Sequence, residues 1–188
     1  YRRALPLLRI MCGSKKGLEI DRAWAEHFLK CMGSDGTFQT PIAGRPWYNL
    51  GAGDSAPKDE DPDTPPYRPD TSGRLLEALA VYYQMTGDEI WNDTARGLVD
   101  VMVKEKKERN RPVWDPTRTS GLAMYYRVSG YEPAKELAYD LVKELRDLNE
   151  TDEGYSLLHV ERWDTKVFHI GTLGIHQGVQ ELALAAHD

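Results

Sequence analysis

Three segments of the chain share one pattern, and this internal repeat constrains the fold more than any other feature of the sequence. The segments span residues 73–87, 120–130 and 178–188. The first two each carry a tyrosine pair followed by a glycine: Tyr82, Tyr83 and Gly87, then Tyr125, Tyr126 and Gly130. Each segment is predicted to be an apolar helix that ends at a glycine or histidine, where a left-handed turn residue is favoured. Repeats of this kind are typical of helical arrays in which each unit packs on its neighbours.

A second helix is predicted after each repeated segment, and its apolar pattern is different. In the helix that begins near Glu89, the apolar residues form a single stripe, whereas the repeated segments are apolar nearly all round. The inner helices are predicted over residues 73–86, 120–129 and 171–186, and the outer helices over 20–32, 89–106 and 133–148. The sequence therefore predicts an all-α fold with two layers, in which inner helices are buried on both faces and outer helices on one. A closed (α/α) toroid of helical hairpins and an open solenoid both satisfy this pattern.

The number of hairpins favours a partial ring. Roughly half of a six-hairpin ring is present, so we expect residues 1–188 to be a single helical-hairpin domain from a longer (α/α)6 barrel. The remaining hairpins of the full-length chain are then the expected partner of its apolar ends. Residues 33–70 are rich in Gly, Pro and Asp, and they are expected to form a long loop at the rim of the ring.

Charge and composition exclude several classes of function. The formal net charge is −6, so neither nucleic acid nor an anionic membrane surface is an expected partner. No apolar run is long enough to span a bilayer. The sequence contains no phosphate-binding glycine loop, no dinucleotide fingerprint and no nucleophile elbow. Because the chain begins at Tyr1 without a visible leader, its localisation stays open, with the periplasm and the extracellular space both compatible.

The cysteines and histidines do not form a recognisable metal motif. Cys12 and Cys31 have neither a disulfide framework nor ligand spacing, and they are predicted to be buried thiols. Side chains that offer metal ligands occur late in the chain, at His159, Glu161, His169 and His176. Because their spacing fits no fixed metal motif, no metal and no cofactor are expected.

Residues 69–88, which include Arg74, the first tyrosine pair and Gly87, resemble the hairpin signature of bacterial six-hairpin glycosidases. The nearest resemblances are to the unsaturated-glucuronyl hydrolases and the β-L-arabinofuranosidase-like enzymes, and as a hairpin pattern they cover most of residues 20–188. The resemblance implies an (α/α) toroid with a carbohydrate cleft at its rim and acidic catalytic residues at the starts of inner helices. The zinc site of the arabinofuranosidase group is not implied, because the matching cysteine pair is missing.

Candidate catalytic residues lie in the segments that lead into the inner helices. Glycoside hydrolysis commonly uses two carboxyl groups that flank the scissile bond. The candidates are Asp70, Asp115 and Glu161, with His169 as an assisting acid or base. Simpler roles stay open, since Asp70 and Asp115 can cap helices or close turns, and Glu161 can pair with Arg162 in solvent.

Candidate substrate-binding residues come from the same segments. Arginines suit bidentate contacts with carboxylates, and aromatic rings can stack on sugars or plug the ring. The candidates are Arg74, Trp114, Arg118, Tyr155, His159, Trp163 and His176. The sequence therefore predicts a carbohydrate-active enzyme, in the first place a glycoside hydrolase acting on a plant or bacterial polysaccharide or oligosaccharide. The alternatives are a polysaccharide lyase that uses His or Tyr as its base, and a non-catalytic helical-repeat domain that binds glycan or protein.

Overall fold

The computed structural model describes residues 8–9, 11–41, 67–70, 73–108, 117–148, 150–151, 154–155 and 170–187. Most of these residues are helical, which agrees with the predicted all-α class. No helix in this part of the chain has the length and apolar character that a membrane span requires. The chain divides into two compact units, one formed by Gly17–Thr71 and the other by Tyr1–Lys16 with Ser72–Asp188.

The helices lie close to their predicted positions. The helices are α1 (Leu18–Lys30), α2 (Gly73–Thr86), α3 (Glu89–Glu108), α4 (Arg118–Ser129), α5 (Glu132–Leu148) and α6 (Ile170–His187). The strands are β1 (Phe38–Pro41), β2 (Tyr67–Asp70), β3 (Glu150–Thr151) and β4 (Gly154–Tyr155). The strands form two short antiparallel ladders, β1 with β2 and β3 with β4.

The unit formed by residues 17–71 contains α1 and the β1–β2 ladder. Its core includes Phe28, which packs on Trp24 and Phe38 with ring centroids 5.1 and 4.8 Å away. In the ladder Phe38 pairs with Asp70 and Pro41 with Tyr67. The loop predicted over residues 33–70 therefore begins and ends in a ladder, while residues 42–66 lie outside the described part.

The larger unit has the two layers that the hydrophobic pattern predicts. Helix α4 lies between α2 and α6, and α3 and α5 pack outside this row, each against the inner helix that precedes it. The inner helices α2 and α4 are buried along most of their length, including every residue from 75 to 82 and from 118 to 123. On the outer helices the apolar stripe is buried, while Asp93, Arg96 and Glu136 are exposed. The contrast between inner and outer helices is therefore confirmed for α2 to α5.

Helix α6 departs from the prediction that inner helices are buried on both faces. Within residues 177–186 it buries Gly178, Leu182 and Ala185, whereas Leu184 is 59% exposed. The reason is that α6 packs on α4 and α5, and the described residues provide no helix for its remaining face. Its apolar composition therefore does not translate into full burial.

The turns that end α2 and α4 are built alike. Each closes at a glycine with φ of 67°, whose N–H donates to a tyrosine carbonyl. The hydroxyl group just before the glycine donates to the carbonyl four residues earlier. The matching residues are Tyr83, Thr86 and Gly87 in the first turn, and Tyr126, Ser129 and Gly130 in the second. The sequence repeat is thus also a repeat of hydrogen bonds, and both glycines occupy the left-handed region that disfavours other residues.

Candidate functional site

The inner helices α2 and α4 touch through glycines where they begin. A Cβ atom on Gly73 would lie 2.5 Å from Arg118 Cα, and one on Gly121 would lie 2.9 Å from Gly73 Cα. Distances this short do not occur between real Cβ atoms and backbone, so only glycine allows the two first turns to lie in direct contact. The segments that lead into α2 and α4 therefore end at one place in the array.

Helix α6 packs against the other side of α4, also close to the start of α4. A Cβ on Gly178 would lie 2.8 Å from the Thr119 Cβ of α4, and further along both helices Arg127 of α4 forms an ion pair of 3.1 Å with Glu181 of α6. The two contacts follow each other in the same order, so α4 and α6 run in the same direction. Because α6 begins at Ile170, it extends about two turns beyond the level at which α4 meets it.

A buried carboxyl group lies just inside the start of α2. Glu77 is 5% exposed, and the Ser120 hydroxyl group of α4 donates a hydrogen bond to its Oε1. Burying a carboxyl group costs free energy unless such bonds compensate for the lost water. Sequence reasoning did not select Glu77 as a site residue. The available signal was that it is the only charged residue in the otherwise apolar stretch from Leu75 to Tyr82.

The predicted arginines occupy two different environments. Arg118, the first residue of α4, has a side chain that is 7% exposed, and its Nη2 lies 2.7 Å from Oε2 of Glu105 on α3. This charge-assisted bond ties the start of α4 to the outer layer, which is a structural role. Arg74 is exposed in the first turn of α2, three residues before Glu77. A contact of either arginine with a substrate stays a prediction, and Arg74 is the one that solvent reaches.

The other predicted site residues are described only in part or lie outside the described residues. Asp70 ends β2, Tyr155 ends β4 and His176 lies in α6, each with its backbone alone described. The residues outside the described part are Trp114, Asp115, His159, Glu161, Trp163 and His169. The predicted convergence of Asp70, Asp115, Glu161 and His169 on one concavity therefore stays a prediction.

Two tyrosines at the C-terminal end of α4 and in the turn after it form hydrogen bonds with the outer helix α3. The Tyr125 hydroxyl group is buried and donates to Oδ1 of Asn92 at 2.7 Å. Burial raises the pKa of Tyr125. Tyr131 donates to Oδ1 of Asp100 at 2.6 Å, and this hydrogen bond raises the pKa of Tyr131 to about 12. A general base works best with a pKa near the operating pH, so these two tyrosines suit the role of a lyase base poorly.

The cysteines differ from their predicted burial. Cys12 is exposed and Cys31 is partly exposed, so the prediction of buried thiols is wrong. Cys31 caps the end of α1, and a side chain at a helix end leaves the apolar stripe that would bury it. Within the described residues, no group of three or more His, Cys, Asp or Glu side chains is arranged to hold a metal ion.

Comparison of the chain with known protein families, curated proteins and solved structures gave no match. The resemblance to six-hairpin glycosidases therefore stays a prediction from the hairpin pattern. The candidate site, at the starts of α2 and α4, rests on the geometry of this chain and on its sequence.

Proposed function

We propose that this chain is part of a carbohydrate-active enzyme, a glycoside hydrolase on an (α/α) toroid, with its substrate cleft at the starts of the inner helices. The observation that supports this most is the polar character of that end of the array. There Glu77 is held by Ser120 inside the inner layer, and Arg74 is exposed one turn away. Carboxyl groups perform glycoside hydrolysis, and arginine binds carboxylate-bearing sugars.

The packing of the helices also supports the proposal. Three inner helices in a row, of which α2 and α4 are each covered by the outer helix that follows, are what an arc of a toroid contains, although a solenoid has the same local packing. Asp115 comes shortly before α4 in the sequence, and α4 meets α2 at Gly73 and Gly121. Asp70 likewise lies three residues before α2, and Glu161 lies nine residues before α6. In this proposal Asp115 and Glu161 are candidate acids of the cleft, and Asp70 is the third candidate.

The proposed chemistry divides the work between two carboxyl groups. One of Asp70, Asp115 and Glu161 is protonated and donates its proton to the leaving oxygen, and a second acts as nucleophile or activates water. Glu77, at 5% exposed, lies beneath the surface and shapes the floor of the cleft. Arg74 binds a carboxylate or hydroxyl group of the sugar.

The test replaces each acid by its amide in the full-length chain, as Asp70→Asn, Asp115→Asn and Glu161→Gln. Turnover is measured as release of reducing ends from neutral and uronate-containing oligosaccharides. Because a positioned acid or base contributes roughly a hundred- to ten-thousandfold to the rate, at least two of the three variants should lose that much of kcat. Asp93→Asn is the matched control, since Asp93 is an exposed acid on the outer helix α3, and it should keep full turnover.

Three outcomes would contradict the proposal in different ways. Full turnover in all three variants would exclude these acids from catalysis. Products that absorb in the near ultraviolet would identify a lyase, because elimination leaves a double bond conjugated with the carboxylate. Saturable binding of oligosaccharides without turnover in the unsubstituted chain would identify a non-catalytic binding domain.

A further inference from the structure

The last turn of α1 brings an imidazole and a thiol together on one side of the helix. His27 and Cys31 are four residues apart, the spacing that stacks side chains one above the other on a helix. The Sγ atom of Cys31 lies 3.6 Å from Nε2 of His27. His27 is exposed and Cys31 partly exposed, so solvent and solutes reach both atoms.

This separation is the one that two ligands of the same metal ion adopt. With a Zn–S bond of about 2.3 Å and a Zn–N bond of about 2.0–2.1 Å, tetrahedral geometry places the sulfur about 3.5 Å from the nitrogen. The two atoms are within hydrogen-bond distance of each other, and the tautomer of His27 decides which of them donates the proton. A cation can take the place of that proton without moving the backbone.

The position of the pair at the end of α1 also favours a positive charge. Cys31 caps this helix, and its backbone N–H donates to the carbonyls of His27 and Phe28. The carbonyls of a last turn give the C-terminus of a helix a partial negative charge, which stabilises a nearby cation. The field of the helix end favours the cation and disfavours the thiolate form of Cys31, so the thiolate depends on the metal–sulfur bond itself.

We propose that His27 and Cys31 form a two-point clamp for a thiophilic divalent cation such as Zn²⁺. Sulfur and imidazole are the ligand types that select such ions over Mg²⁺ or Ca²⁺. On binding, the Cys31 thiol releases its proton to solvent and its sulfur bonds the metal as a thiolate, while His27 binds through the Nε2 lone pair with its proton on Nδ1. Water completes the coordination shell. The clamp lies in the unit of residues 17–71, and it does not rest on the proposed glycosidase function.

The experiment titrates the full chain with Cd²⁺, whose thiolate bond gives a charge-transfer band in the ultraviolet that is read as a difference spectrum, and repeats the titration in competition with Zn²⁺. The readout reports only metal bound to cysteine, so histidines elsewhere do not contribute to it. We expect one Cd²⁺ per chain, displaced by Zn²⁺. Cys31→Ser should abolish the band, and His27→Gln should weaken the affinity at least tenfold, because it removes one of the two protein ligands.

Cys12→Ser is the matched control, since Cys12 is the other, more exposed cysteine. It should leave both the band and the affinity unchanged. A band that survives Cys31→Ser but disappears in Cys12→Ser would overturn the proposal, as would an affinity that does not respond to His27→Gln. A stoichiometry of one cation for two chains would replace the clamp by a bridge between molecules. Circular dichroism of each variant checks that α1 is retained.

Discussion

The glycine contact between α2 and α4 gives the sharpest test of the packing. Gly121→Ala adds a Cβ atom that would lie 2.9 Å from Gly73 Cα and closer still to the carbonyl oxygen of Gly73. Both neighbouring atoms belong to backbone, so no side chain can rotate away. Because carbon atoms pack at about 3.5–4.0 Å, the two helices must separate by about 1 Å at this point.

The expected cost follows from two opposing terms. Forcing extra atoms into a packed interior costs about 1–3 kcal/mol, and a backbone-against-backbone contact belongs at the upper end of that range. Replacing a helical glycine by alanine stabilises the folded state by about 1 kcal/mol, because alanine has the higher helix propensity. Gly121→Ala should therefore lower the free energy of unfolding by about 2 kcal/mol, which is a fall in Tm of roughly 4–8 °C for a chain of this size.

Gly97→Ala supplies the matched control within the same unit. Gly97 lies in the outer helix α3, and a Cβ placed there would have no heavy atom within 4 Å. Only the propensity term operates, so this variant should be as stable as the unsubstituted chain or more stable by up to about 1 kcal/mol. Urea unfolding followed by circular dichroism measures both variants. If Gly121→Ala unfolds at the same urea concentration as Gly97→Ala, the close approach of α2 and α4 is refuted.

Two further predictions concern charged and titratable groups. Tyr131 has a pKa of about 12 in the folded state against about 10 in an unfolded chain, so the stability that its hydrogen bond provides is complete below about pH 10 and is lost as the pH rises towards 12. Tyr131→Phe should therefore flatten the fall in free energy of unfolding between these pH values, and an unchanged slope would argue against the bond. Glu105→Gln removes the charge that partners the buried Arg118 and should cost about 1.5–3 kcal/mol in urea unfolding. Glu108→Gln, from an exposed pair, should change nothing measurable, and equal effects would contradict the difference in burial.

Helix positions were predictable because their signals are local. The tyrosine pairs and the glycines that follow them repeat in sequence, and the structure ends α2 and α4 at Gly87 and Gly130. The difference between the layers was predictable too, since polar residues mark the exposed side of α3 and are scarce in α2. These features depend on residues that are neighbours along the chain.

Properties that depend on distant neighbours were not predictable in this way. The burial of α6 depends on which helices cover it, and Leu184 is exposed although its sequence surroundings are apolar. The Glu77–Ser120 hydrogen bond joins residues of different hairpins, so the sequence around either residue does not indicate its partner. The contact between Cys31 and His27 is local. Their spacing of four residues on a predicted helix indicated it, but the cysteine was expected to be buried, and the pair was therefore not predicted.

The matching turns after α2 and α4 have a consequence for how such a chain can change its length. Each turn is closed by atoms of its own hairpin, from the tyrosine carbonyl to the glycine N–H. When a whole hairpin is duplicated or deleted, the hydrogen bonds of its turn are therefore duplicated or deleted with it. Only the surfaces between hairpins then need new side chains. Duplication of a gene segment of this size is thus a short route between arrays with different numbers of repeats.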